Sequence, residues 1–146
     1  MAPMVHGLIV THGQLGKELL EAAARIDGEI EGLAAICLDW NQPVSQAHQQ
    51  IEEALSQIPK DKEVIIFTDM FGGTPSNISI SFLQRGRIEI VTGVNLPMLV
   101  KFGSLDRELG DASTMAKQIC EKGARAIRVA SDLLTEEPAE APEESA

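Results

Sequence analysis

The stretch "IIFTDMFGGTPSN" (65–77) decides the fold. Its apolar start, extended back as "KEVIIFT" (62–68), is rich in β-branched and aromatic residues and reads as a strand. The strand stops at Asp69, and Gly72, Gly73, Thr74 and Pro75 follow almost at once. Glycines and a proline follow the strand, and a helix is expected only after them, from Ser76. A shorter echo, "GLIVTHGQLGKELL" (7–20), repeats the design with an apolar run that stops at His12.

Working outward, strands are expected at 6–11, 32–40, 62–68 and 87–93, with a short last strand at 124–130. Helices are expected at 15–26, 43–58, 76–85, 96–105 and 111–123. The helix at 43–58 lines Val44, Ala47, Ile51, Ala54, Leu55 and Ile58 along one face. The helix at 111–123 has an Asp N-cap and a glycine stop at Gly123. Residues 76–85 alternate Ile and Ser at their start and could also be read as a strand. The order β-α-β-α-β-α-β-α-α-β predicts an α/β class: a doubly wound, mainly parallel central sheet with helices on both faces. Two helices precede the last short strand and break the alternation. That strand is therefore expected to run antiparallel at an edge, or to pair with another subunit.

The chain has 146 residues, enough for one domain with its own core, and 44 % of them are hydrophobic. No apolar run approaches the ~20 residues that span a bilayer, and the amino terminus lacks the basic start and apolar stretch of a secretion signal. A cytoplasmic protein without membrane insertion is expected. Cys37 and Cys120 form no CxxC pair and read as reduced core thiols. The net charge is −10, and five of those charges are Glu136, Glu137, Glu140, Glu143 and Glu144. The domain is thus expected to occupy 1–133, with 134–146 an acidic, disordered tail. An acidic domain without a basic stripe excludes nucleic acid as a partner.

In open α/β sheets, sites lie beyond the carboxyl ends of the strands. Three of those ends carry notable groups: Thr11-His12-Gly13, then Asp69 with Gly72-Gly73-Thr74, then Gly93-Val94-Asn95. The first and third strands are often neighbours in such sheets, which would let His12 meet Asp69. A carboxylate that accepts one ring N–H leaves the other nitrogen free as base, nucleophile or ligand. Bare backbone at Gly72 and Gly73, the opening N–H groups of the next helix and the Thr74 hydroxyl could cradle an anion. Together they suit a histidine that carries a phosphoryl group. The stretch "FGGTP" is not a Walker motif. His6, His12, His48 and Cys37 show no metal-ligand spacing, and neither metal nor cofactor is expected. His6 and His48 have no evident partner, and His48, beside Gln49 and Gln50, reads as solvated. Trp40 and the few Phe residues read as packing. A hydrolase using His12 and Asp69 as a base pair is the weak alternative, because no Ser or Cys occupies a nucleophile elbow.

The segments "GLIVTHGQLGKELLEAA", "IIFTDMFGGTPSN" and "IVTGVNLPMLV" resemble the signature segments of the IIA component of the mannose/fructose/sorbose type of the bacterial phosphotransferase system. The resemblance spans about residues 5–131. It implies a phosphotransferase that acts as a transient phosphohistidine carrier. His12 would be the phosphoryl acceptor and Asp69 the acid that orients and stabilises it. Gly72, Gly73 and Thr74, with Thr11 of the first segment, would surround the phosphoryl group. The implied donor is the histidine phosphocarrier protein, the implied acceptor a separate IIB component, and the implied assembly a homodimer joined through the last strand. The alternative is a regulatory IIA protein whose state at His12 switches its partners without sugar transport. The related phosphocarrier subunit that feeds dihydroxyacetone kinase is expected to carry a shorter loop than "DMFGGTPSN".

Overall fold

A computed structural model describes residues 3–135, so the acidic stretch from 136 onward lies outside the described residues. In chain order the elements are β1 (Val5–His12), α1 (Leu15–Asp27), β2 (Leu33–Leu38), α2 (Val44–Ser56), β3 (Glu63–Thr68), α3 (Thr74–Ile80), β4 (Ile88–Thr92), α4 (Leu96–Ser104), α5 (Ala112–Arg125) and α6 (Ala130–Leu134). The four strands form one all-parallel sheet in the order β2-β1-β3-β4.

Alternating side chains divide the core in two. On one face Val5, Ile9, Ile65, Phe67 and Val91 pack against Ala23 of α1, Leu99 and Phe102 of α4, and Met115 and Ile119 of α5. On the other, Leu8, Val10, Ile36, Val64, Ile66 and Ile88 meet Ala47, Ile51 and Leu55 of α2 and Ile78 of α3. Both faces are covered by helices, which explains why β3 is an uninterrupted apolar run. The sheet grows from β1 to β2 and then reverses to β3 and β4. A single crossover hand therefore puts α1 on one face and α2 and α3 on the other. The crevice between the carboxyl ends of β1 and β3 is where the chain departs in opposite directions.

Several expectations need correction. The segment 124–130 forms no strand: α5 runs on to Arg125 and α6 begins at Ala130. Ile127 and Val129 between them are 75 % and 64 % exposed, and no strand among the described residues lies beside them to complete a ladder. Gly123 does not stop α5. It lies buried inside the helix, where an added Cβ would sit 2.6 Å from Met98 Cε, so it is a point of close approach between α4 and α5. The helix after β3 ends at Ile80, five residues early, and Ser76, Ile78 and Ser79 are its buried side. His48 is half-buried against the Phe82 ring, with centroids 4.5 Å apart. Of the two free thiols, Cys37 is partly buried in β2, while Cys120 is exposed on α5.

Asn95 joins two of these helices. Its Oδ1 accepts the Met98 N–H at 3.1 Å, capping α4, and its Nδ2 donates to the Gly123 carbonyl of α5 at 3.2 Å. Asn95→Ala is expected to lower stability by about 1–2 kcal/mol. Urea unfolding checks this: the midpoint should fall with an unchanged m-value.

Candidate functional site

The site grows from the ladder. Val10 of β1 stands opposite Thr68 of β3, so the last residue of β1 and the first after β3 emerge side by side at the sheet edge. His12 Nδ1 lies 2.7 Å from Asp69 Oδ2, and the His12 backbone N–H donates to the same oxygen at 2.9 Å. The other carboxylate oxygen, Oδ1, accepts the Met70 N–H at 2.9 Å. Asp69 is therefore held by three N–H groups and is itself only 11 % exposed, against 24 % for His12. A carboxylate accepts hydrogen bonds, so this contact places the proton on Nδ1 and leaves the lone pair on Nε2.

Bare backbone closes one edge of the ring. A Cβ added at Gly73 would stand 3.0 Å from His12 Cε1 and 3.6 Å from Nε2. Gly73 is also the N-cap of α3, whose first turn receives no side-chain cap and carries Pro75. Gly72 before it has φ +90°, a conformation that favours glycine. Asn77 steadies the loop, its N–H donating to the Gly73 carbonyl at 2.8 Å and its Nδ2 to the Gly72 carbonyl at 3.3 Å. Gly73→Ala is expected to push the ring off its position. A crystal structure should show His12 displaced by a few tenths of an ångström, with the fold unchanged.

Of the two threonines expected at the site, one stands beside the cluster and the other turns away from it. Thr74 opens α3 beside Gly73 and is exposed. Thr11 is fully buried, and its Oγ1 accepts the Gly16 N–H at 2.7 Å, fastening the start of α1. Its hydroxyl thus faces α1 and not the open crevice. His6 lies towards the far end of β1, where burial, then the charge of Arg107, hold its pKa below the ordinary histidine value. Among the described residues, no group of three or more His, Cys, Asp or Glu side chains could hold a metal ion. No described helix is long and apolar enough to cross a membrane.

The sequence reading missed Trp40. It follows the end of β2, the neighbour of β1, and its indole stacks on the His12 imidazole with centroids 4.9 Å apart and planes 17° apart. Far from packing in the core, it is 75 % exposed. Leu15, Met70 and Phe71, from the loops and helix start that follow β1 and β3, are exposed as well. Chemically, the arrangement is an oriented imidazole with one free nitrogen, a compensating carboxylate, bare glycine backbone beside it and an apolar rim.

A family model described as "PTS system fructose IIA component" (EIIA-man) matches residues 7–120. The fructose-specific EIIA component of Bacillus subtilis is 34 % identical over 107 residues, covering 73 % of each chain. The mannose-specific EIIAB component of Escherichia coli K12 is 28 % identical over 95 residues, covering 64 % of this chain and 29 % of that one. In structure, an EIIA component from Streptococcus agalactiae superposes with a TM-score of 0.79 at 21 % identity, covering 88 % of this chain and 99 % of that one.

Proposed function

Because the chain belongs to the EIIA-man family of phosphotransferase-system IIA components, we propose that His12 is its phosphoryl carrier. In this reading the histidine phosphocarrier protein is the donor and a separate IIB component the acceptor, in the service of sugar uptake. The observation that carries it is the 2.7 Å contact between His12 Nδ1 and Asp69 Oδ2, which leaves Nε2 as the nucleophile.

The Nε2 lone pair attacks the phosphorus of the donor's phosphohistidine. The donor N–P bond breaks, and its electron pair returns to the donor imidazole. A new Nε2–P bond forms while the Nδ1 proton stays on the ring, which becomes cationic. Asp69 offsets that charge at hydrogen-bond distance. The loop Gly72-Gly73-Thr74 offers N–H groups and a hydroxyl to the incoming oxygens, and the absent Cβ of Gly73 leaves them room. Discharge to a IIB component runs the same steps outward. Leu15, Trp40, Met70 and Phe71 suit a site that meets proteins, since exposed apolar and aromatic side chains are favoured at interfaces. The exposed apolar side chains of Ile127, Val129 and Leu133 support a homodimer formed through this surface, and in this reading the carrier works in the cytoplasm.

The test is a transfer assay with phosphoenolpyruvate, enzyme I and the histidine phosphocarrier protein, followed by intact mass. One acid-labile phosphoryl group that disappears when a mannose-type IIB component is added is the expected result. No addition where a control IIA protein is labelled would overturn the carrier reading. Loading without discharge to any IIB component would point to the regulatory reading instead.

A further inference from the structure

We propose that Trp40 is a positioning residue for His12: its indole covers one face of the imidazole and holds the ring with Nε2 presented outward. The proposal rests on the reading of His12 as the phosphoryl acceptor and adds a residue to that site.

Trp40 is not where the hydrophobic effect alone would put it. It belongs to neither core cluster and leaves three quarters of its surface in water, yet it lies nearly parallel to the His12 ring. Its place is fixed by the loop that bears it. The Gly13 N–H donates to the Leu38 carbonyl at 2.8 Å, tying the ends of β1 and β2 together. The Asp39 N–H donates to Gln42 Oε1 at 2.9 Å, the Gln42 N–H donates back to the Asp39 carbonyl at 3.2 Å, and Gln42 Nε2 donates to Gln50 Oε1 of α2 at 2.6 Å. Trp40 thus sits on a short turn stapled to a helix. Gly13 makes room for it, because an added Cβ there would lie 3.1 Å from Trp40 Nε1.

The imidazole is then bounded on three sides. Asp69 holds Nδ1, the Gly73 backbone meets the Cε1 edge, and Trp40 covers one face. Among the described residues, none hydrogen-bonds Nε2. When Nε2 takes a phosphoryl group the ring becomes cationic, and the electron-rich face of an indole attracts a cation. Trp40 therefore favours both the orientation before transfer and the charge after it.

Phosphoramidate separates positioning from protein docking, since it is a donor too small to use a docking surface. The Nε2 lone pair forms the bond to phosphorus, the P–N bond of the zwitterionic reagent breaks, and its electron pair leaves with nitrogen as ammonia. His12 loading is followed by site-resolved mass in wild type, Trp40→Ala and Trp40→Phe, with His12→Gln as background. Loading is expected to slow about three- to tenfold in Trp40→Ala and to recover to within about twofold in Trp40→Phe. Trp40 is the sole tryptophan, so its emission should change on loading of the wild type and stay constant in His12→Gln. Equal loading of wild type and Trp40→Ala, slowing with the protein donor alone, unchanged emission on loading, or failure of phosphoramidate to load wild-type His12 would each overturn the proposal. If phosphoramidate loads His12 and the protein donor does not, the carrier reading fails, while the ratio of variant to wild type still decides the role of Trp40.

Discussion

His12→Gln should take up no phosphoryl group at all, while the protein melts within a few degrees of the wild type. Glutamine is close in size and polarity but has no ring nitrogen with a free lone pair, so no N–P bond can form. The fold should not notice, because His12 is the last residue of β1 and its side chain belongs to neither core cluster. The glutamine amide can donate to Asp69 in place of Nδ1, so the expected cost is about 1 kcal/mol or less. The backbone N–H of residue 12 still has Asp69 to donate to. Intact mass after the transfer assay checks the first half, and thermal unfolding by circular dichroism checks the second. A loss of stability of several kcal/mol would instead mark His12 as a structural histidine.

Asp69→Asn should slow loading by about 100-fold or more while the domain stays folded. The reason is a count of donors. Three N–H groups converge on the carboxylate, two on Oδ2 and one on Oδ1. An amide has a single acceptor oxygen. If that oxygen faces His12, the amide NH2 meets the Met70 N–H, donor against donor. If the amide flips, its NH2 faces Nδ1, the ring proton moves to Nε2, and the nucleophilic lone pair is lost. Either arrangement also removes the negative charge that offsets the phosphorylated ring. Rapid-quench kinetics with the protein donor measure the rate, and unchanged kinetics would separate Asp69 from the reaction.

The parts of the molecule fixed by short-range physics were legible in the sequence. Apolar runs gave four strands to within two residues at each end, and Asp111 capped α5 as expected, accepting the Thr114 N–H at 2.8 Å. The alternation of elements implied a parallel sheet, and the preference for adjacent first and third strands implied the meeting of His12 with Asp69. What was missed depends on the partners that folding supplies. Trp40 looked like core because tryptophan is usually buried; only the placement of β2 beside β1 brings it over His12. A sharper signal was present, since Trp40 also follows a strand end. Gly123 looked like a helix stop because glycine favours that position, but close approach of Met98 keeps it inside α5. Residues 124–130 have strand-like composition, but β-branched side chains do not make a strand without a neighbour to bond to. The hydroxyl of Thr11 was grouped with the site through the resemblance of the segment that carries His12. Side chains alternate along a strand, and this one turns towards α1.

The three bonds on Asp69 have one more consequence. They hold the carboxylate between two central strands whose positions are set by a packed core on both faces, whereas Leu15, Met70 and Phe71 project from the surface around it. Changes to those surface residues need not pass through the ladder to be tolerated. A lineage can therefore exchange its partners by drift at the rim while inheriting an unaltered reaction centre, so that divergence in wiring leaves little trace in chemistry.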